Sequence, residues 1–153
     1  MSFKKELAYD VFNNCDYAFI GMNDIDNMPY VFAISPVVID DDIYFHGGLK
    51  GKKIECLKHS ANVCVSAAIN MEPVAKRFTI NYESAIAYGS ATIVEDRTIQ
   101  IKVLEEISKR YAPYNMDDFN NAIERSLQRT NIFKITVNEI TGKERKVGIA
   151  HVE

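Results

Sequence analysis

Hydrophobic residues near the start of the chain recur at a helical spacing and then change to a strand spacing. Leu7, Val11 and Phe12 fall on one face of segment 4–13, which predicts a short amphipathic helix. The apolar run that follows, 16–22, predicts a strand, and the Asn- and Asp-rich residues after it predict the turn of a hairpin.

The second β segment contains its own interruption. Residues 30–39 are mostly apolar, but Pro36 has no backbone N–H to donate to a ladder, so an edge, a bulge or a break is expected there. Backbone groups at such breaks are free to meet a ligand. A turn of three aspartates, 40–42, then leads to a third predicted strand, 43–46.

The rest of the chain places two helices before its last strands. The predicted segments are a helix at 52–59, strands at 62–70 and 77–94 (the second broken near 83–84), helices at 97–111 and from 117 or 118, a strand at 131–139, a turn at 141–143 and a last short strand. Asp96 is expected to cap the first of the two helices, and Pro113 to end it. The short connections predict an antiparallel β-barrel or sheet with helices on one side, in a single domain over 1–153, and not a βαβ fold.

Composition and charge exclude several classes of protein. Hydrophobic residues make up 47% of the chain and charged residues 25%, as in ordinary soluble domains. A net charge of −3 gives no electrostatic case for nucleic-acid binding. No apolar run approaches the roughly 20 residues that span a bilayer, and the N-terminus lacks the apolar region of a signal peptide, so no membrane contact and a cytoplasmic location are expected. The three cysteines, with no C-x-x-C pair, are expected to be reduced thiols.

A glycine-rich turn followed by two lysines is the most informative motif. Gly47-Gly48-Leu49-Lys50-Gly51 ends a predicted strand and precedes a helix that begins with Lys52 and Lys53. Free N–H groups at a helix N-terminus suit a phosphate, and glycines let it approach closely. Lysines in the first turn of a helix interact unfavourably with the helix dipole, and an anion bound there would offset this cost. The motif is not a Walker A loop, and a solvated basic turn is the alternative interpretation.

His46 is the candidate acid, base or ligand beside this turn, and a purely local hydrogen-bonding role is the alternative. His59 and His151 are predicted to be surface residues. No catalytic triad can be read from the spacing of the chain. The aspartates that begin at Asp24 do not form a calcium loop, because its twelfth position is Ser35, and no metal site is predicted.

Four motifs stand in a recognisable order along the chain. They are Pro29-x-Val31 with Ile34-Ser35-Pro36-Val37, Ile43-Tyr44-Phe45-His46-Gly47 with Gly51-Lys52-Lys53-Ile54, Tyr82-Glu83-Ser84-Ala85-Ile86-Ala87-Tyr88-Gly89-Ser90-Ala91, and Ile140-Thr141-Gly142-Lys143-Glu144-Arg145. Together they resemble the pyridoxamine 5′-phosphate oxidase-like superfamily of flavin-binding proteins. The last two narrow the resemblance to the branch that includes the 5-nitroimidazole-resistance (Nim) proteins. The resemblance covers about residues 5 to 147.

The resemblance implies a mainly β (β+α) fold: a six- to seven-stranded antiparallel split β-barrel with flanking helices, which works as a homodimer. It implies that FMN, or alternatively FAD, lies at the interface, with Lys52 and Lys53 at the phosphate and with His46 and Gly47 near it. The other implied cofactor-binding residues are Ile34, Ser35, Pro36, Val37, Gly51, Tyr82, Ser84 and Ala85. A functional histidine of the Nim proteins would correspond to His46.

The implied function is that of a flavin-dependent oxidoreductase. It would reduce a small electron-poor acceptor, such as a nitroaromatic, with NADH or NADPH as a candidate electron donor. A non-enzymatic flavin store or redox sensor, and a haem or deazaflavin binder on the same barrel, stay open as alternatives. Activity on pyridoxamine phosphate is not expected, because the chain lacks the tryptophan and the Arg-x-His motif that true oxidases carry near the C-terminus.

Overall fold

The computed structural model describes residues 2–148, which contain seven strands and four α-helices. The elements are α1 (Phe3–Asn14), β1 (Ala18–Asn23), β2 (Pro29–Ile34), β3 (Val37–Ile39), β4 (Asp42–Gly47), α2 (Lys52–His59), β5 (Asn62–Val74), β6 (Thr79–Ile93), α3 (Arg97–Tyr111), α4 (Phe119–Ser126) and β7 (Asn131–Arg145). None of the described helices is both long and apolar enough to cross a bilayer.

All seven strands pair antiparallel in a single sheet, in the order β2-β1-β5-β6-β7-β4-β3. The two strands at the edges of this order, β2 and β3, are consecutive in the chain and are joined only by Ser35 and Pro36. A sheet whose edges are tied by so short a link has to curl on itself. The result is a barrel that stays split between β2 and β3, which confirms the predicted fold class and the predicted break at Pro36.

Inward-facing side chains fill the barrel. The rings of Phe45 and Phe133 stack at its centre with their centroids 4.7 Å apart. α1 lies across β7 so closely that a Cβ on Gly142 would be 2.8 Å from the carbonyl oxygen of Lys4 and 2.9 Å from the amide nitrogen of Ala8. The glycine is therefore required by the approach of the helix.

α3 covers the outer face of β4. It begins after Asp96, whose carboxylate accepts a hydrogen bond of 3.0 Å from the amide of Ile99, as the predicted cap should. Val103 and Ile107 pack in a second apolar cluster that also contains Tyr44 of β4. β4 is thus covered on both faces along most of its length.

Two predictions about the last strands were wrong. β6 runs without a break through 83–84, because these residues pair with β5 on one side and with β7 on the other. The turn expected at 141–143 is instead part of β7, which continues to Arg145. Gly142 suggested a turn, but its role is to admit the backbone of α1.

We expect Gly142→Ala to lower the free energy of unfolding by about 1–3 kcal/mol, the usual cost of overpacking, since the added methyl group meets backbone atoms that cannot move aside. Chemical denaturation measures this change. Gly48→Ala is the matched control, because a Cβ there meets only the carbonyl oxygen of Lys50, at 4.0 Å. Equal stability of the two variants would contradict this packing.

Candidate functional site

The turn after β4 brings Gly47 and Lys53 together. The Lys53 side chain folds back over the glycine: a Cβ on Gly47 would lie 2.8 Å from Lys53 Cε and 3.4 Å from Nζ. The Lys53 ammonium also lies 5.8 Å from the ring centroid of Phe32. Within residues 2–148, Lys53 forms no ion pair with a carboxylate. Its positive charge is therefore held in a defined place and left uncompensated.

Lys52 is engaged differently from its neighbour. Its Nζ lies 3.8 Å from Asp24 Oδ2 and 5.1 Å from the ring centroid of Tyr30. Asp24 also accepts hydrogen bonds of 2.9 Å from the amides of Met28 and Asp26. These backbone bonds, with help from Lys52, lower the pKa of the Asp24 carboxyl. The two lysines that the sequence treats as a pair are thus unequal in the fold.

The N-terminus of α2 is open. Its N-cap is Gly51, whose φ of 129° only glycine adopts readily, and no side chain in the described part of the chain caps this helix end. A Cβ on Gly51 would meet no atom within 4 Å, so the approach to the turn is unobstructed. The first amides of a helix have no partners within the helix, and without a capping side chain they are available to an anion.

His46 lies next to this turn in sequence but on the other face of the strand. Alternation along β4 puts Gly47 on the face of Phe45, inside the barrel, and His46 on the face of Tyr44. The His46 side chain is partly exposed, and partial desolvation lowers the pKa of its imidazole. The structure does not bring this imidazole to the Lys53 amine.

Of the other two histidines, His59 and His151, only His59 is among the described residues. His59 is exposed, as predicted, with Nε2 3.2 Å from Asn27 Oδ1. His151 lies outside the described residues. Among residues 2–148, no three His, Cys, Asp or Glu side chains are grouped so that they could hold a metal ion.

The interruption between β2 and β3 forms a second part of the candidate site. Of residues 34–37, only Ser35 is exposed. The carbonyl oxygen of Pro36 accepts two hydrogen bonds, from Arg110 Nη1 at 2.5 Å and from the Tyr111 hydroxyl at 2.9 Å. Burial raises the pKa of Tyr111 to about 12, so its hydroxyl stays protonated and able to donate.

Sequence reasoning missed Arg110 and Tyr111. The guanidinium of Arg110 also donates to the carbonyl oxygens of Phe12, at 2.8 Å, and Cys15, at 2.6 Å. These acceptors lie 98 and 95 residues away in the chain. A basic residue in the last turn of a helix is ordinary, and no local signal distinguishes this arginine from one that faces solvent.

The predicted site residues on β6 lie far from the segment 47–53, which we call the lysine turn. They are Tyr82, Ser84 and Ala85. Ala85 pairs with Gly142 near one end of β7, whereas Gly47 pairs with Asn131 at the other end. At the usual rise per residue, about 35 Å of strand separate Asn131 from Gly142. A single chain therefore does not bring the two sets of predicted residues together.

Ser84 and Ala85 instead line a groove between the start of α1 and the paired strands β6 and β7. Its volume is about 510 Å³, within the range of small-molecule sites. Its walls are mainly apolar, and Lys4 and Lys143 also line it. The Ser84 hydroxyl donates a long hydrogen bond of 3.4 Å to the carbonyl oxygen of Lys143.

The outward face of the sheet carries apolar side chains that no other part of residues 2–148 covers. Phe19 of β1 pairs with Ser66 of β5, which pairs with Ile86 of β6, and Tyr88 follows on the same face. Phe19 and Tyr88 are 48% and 49% exposed. Val31 of β2, beside Gly21, extends the patch and is 60% exposed. Contiguous apolar surfaces of this kind mark interaction sites.

The sequence matches the protein family described as pyridoxamine 5′-phosphate oxidase over residues 7–144. The chain therefore belongs to this family, as its motifs predicted, and its seven-stranded antiparallel barrel with flanking helices agrees with the split-barrel fold. No curated protein matches the chain.

Solved structures share this fold across the chain. A proposed 5-nitroimidazole antibiotic resistance protein from Bacteroides thetaiotaomicron is 23% identical, with a TM-score of 0.77 over 92% of this chain and 84% of that one. A conserved hypothetical protein from Mycobacterium tuberculosis is 19% identical, with a TM-score of 0.81 over 100% and 91%. An FAD and heme binding protein from Mycobacterium smegmatis is 17% identical, with a TM-score of 0.79 over 95% and 73%. At these identities the likeness concerns the fold alone.

Proposed function

We propose that this chain is a flavin-dependent oxidoreductase that binds FMN between two copies of itself and reduces a small electron-poor acceptor such as a nitroaromatic. The observation that carries the proposal is the uncompensated Lys53 amine beside the uncapped N-terminus of α2. Membership of the pyridoxamine 5′-phosphate oxidase family and the resemblance to Nim proteins support the same function.

The residues of the lysine turn fit a phosphate group. A phosphate accepts charge-assisted hydrogen bonds from an ammonium and ordinary ones from backbone amides, and this turn offers both. The approach is open at Gly51, and the lack of a Cβ on Gly47 makes room for the Lys53 side chain. Lys52 adds positive charge, which its ion pair with Asp24 partly offsets. We assign the phosphate of FMN to Lys53 first and to Lys52 second.

The flavin ring would lie along Ser35, the exposed residue at the split of the barrel. Tyr82, Ser84 and Ala85 can reach such a site only from a second copy, because they lie at the far end of β7 in their own chain. A two-fold axis would then create two identical sites, each with the lysine turn of one copy and β6 of the other. The apolar outward face of β1, β5 and β6 is the surface that would join the copies.

The bound flavin supplies the electron-transfer chemistry, and the protein binds it, orients it and excludes water. No acid or base from the chain is needed for that task, in keeping with the position of His46 on the other face of β4. NADH or NADPH is the proposed electron donor. FAD is the second candidate cofactor, since the Mycobacterium smegmatis neighbour is described as an FAD and heme binding protein.

We expect Lys53→Ala to weaken FMN binding by roughly ten- to 150-fold, the loss of about 1.5–3 kcal/mol from one charged hydrogen bond. Lys52→Ala, the matched control, should cost less, because Asp24 already offsets its charge. Fluorescence titration with FMN and with riboflavin, which lacks the phosphate, measures both. Equal losses for the two ligands in Lys53→Ala would place the phosphate elsewhere.

The dimer can be tested at Tyr88, on the outward face of β6. Tyr88→Asp should yield monomers in sedimentation velocity and lose FMN, because a buried carboxylate opposes association and each site needs both copies. Tyr114→Asp, which alters a fully exposed tyrosine outside this face, should leave both properties unchanged. A Tyr88→Asp variant that stays dimeric, or a wild-type monomer with full FMN affinity, would argue against this interface.

The oxidoreductase function predicts that FMN-loaded protein oxidises more than one equivalent of NADH or NADPH per bound flavin only when an electron acceptor is present. Steady-state assays with a nitroimidazole and a quinone measure this activity. A flavin-loaded protein that turns over no acceptor in a broad panel would support the alternative of a flavin store or redox sensor.

A further inference from the structure

The end of α3 reaches across the molecule to the split of the barrel. Arg110 donates to backbone carbonyl oxygens of two segments, Phe12 and Cys15 at the end of α1 and Pro36 between β2 and β3. Tyr111 donates its hydroxyl to the same carbonyl oxygen of Pro36. The guanidinium also lies 4.9 Å from the Tyr111 ring, so the two side chains support each other.

The sheet itself does not hold the segment that these side chains contact. The β2 ladder stops at Ile34, paired with Ala18, and the β3 ladder begins at Val37, paired with Tyr44. Pro36 has no N–H with which to close the gap. Two donors on the Pro36 carbonyl therefore fix the peptide plane between Pro36 and Val37, one residue after the exposed Ser35.

Arg110 has a structural role as well. Phe12 is in the last turn of α1, where carbonyl groups lack partners within the helix, and a positive charge is favourable there. Tyr111 has no such second role among the described hydrogen bonds, since its hydroxyl donates only to Pro36. A substitution of Arg110 therefore affects both the end of α1 and the split of the barrel, whereas a substitution of Tyr111 affects the split alone.

We propose that Arg110 and Tyr111 are positioning residues for the flavin: they hold the backbone at Pro36, next to the exposed Ser35, in the conformation that receives the ring, and Arg110 places a positive charge behind it. The inference rests on the proposed function and deepens it. The hydrogen-bond partners of Arg110 among residues 2–148 are carbonyl oxygens and the Cys15 sulfur. The exposed Asp16 lies near enough to act on Cys15 and Tyr111 but forms no described ion pair with Arg110, so the guanidinium charge is at most partly offset. Such a charge favours the electron-rich reduced flavin over the oxidised form.

Tyr111→Phe tests the positioning role, and Tyr9→Phe is its matched control. Tyr9 also donates its hydroxyl to a backbone carbonyl, that of Asp41, at 2.8 Å, in the turn before β4. Both variants lose one hydrogen bond of the same kind and should unfold at similar denaturant concentrations. Tyr111→Phe alone should bind riboflavin and FMN about three- to tenfold more weakly, because the ring and not the phosphate is affected.

Arg110→Met and Arg110→Lys test the charge. The midpoint potential of the bound flavin should fall in Arg110→Met by about 30 mV for each tenfold loss of preference for the reduced form. Arg110→Lys, which keeps the positive charge, should have a midpoint potential close to that of the wild-type protein, even if it binds the flavin more weakly. An unchanged potential in Arg110→Met would overturn the electrostatic part of the proposal.

Different results would overturn the proposed flavin-dependent function and the positioning role of Arg110 and Tyr111. If the wild-type protein binds no flavin, the proposed function is wrong. If it binds FMN and Lys53→Ala weakens that binding, but Tyr111→Phe matches Tyr9→Phe in flavin affinity, only the positioning role is overturned. Should Arg110→Met fail to fold, the pair of tyrosine variants still decides the positioning role.

Discussion

The link between β2 and β3 is the constraint on which the rest of the structure depends. Ser35 and Pro36 are all that separate the two edges of a seven-stranded sheet, so the sheet must curl until its edges meet. Curling gives the sheet an inside, which the stacked rings of Phe45 and Phe133 fill. It also leaves a short stretch of backbone outside any ladder, where a ligand or a side chain from elsewhere can take the place of a strand.

The same fold gives three basic side chains three different environments. Lys52 forms an ion pair with Asp24. Arg110 donates hydrogen bonds to carbonyl groups that the sheet and the helix leave unpaired. Lys53 lies over Phe32 and Gly47 without a described carboxylate partner. Charge alone therefore does not identify an anion site. The number of acceptors that already satisfy each cation decides which one remains available.

Much of the fold was predictable because its signals are local. The cap at Asp96 and the break at Pro36 depend on backbone chemistry within a few residues, and the structure confirms both. The turn predicted at Gly142 was wrong, since in sequence a glycine that admits a neighbouring helix looks the same as a glycine in a turn. The candidate site was predictable only as a motif around the lysine turn. Neither the inequality of the two lysines nor the part played by Arg110 could be read from it.

The sequence by itself determined the kinds of elements, their order, the interruption in the second β segment and the turn rich in glycine and lysine. These features are local, because hydrophobic spacing and the special backbones of glycine and proline act over short stretches of chain. Tertiary structure alone decided which lysine is paired with a carboxylate and which carbonyl groups accept hydrogen bonds from Arg110. It also decided that the β6 residues lie a strand's length from the turn. These outcomes depend on contacts between segments far apart in sequence, and the curling of the sheet selects those contacts.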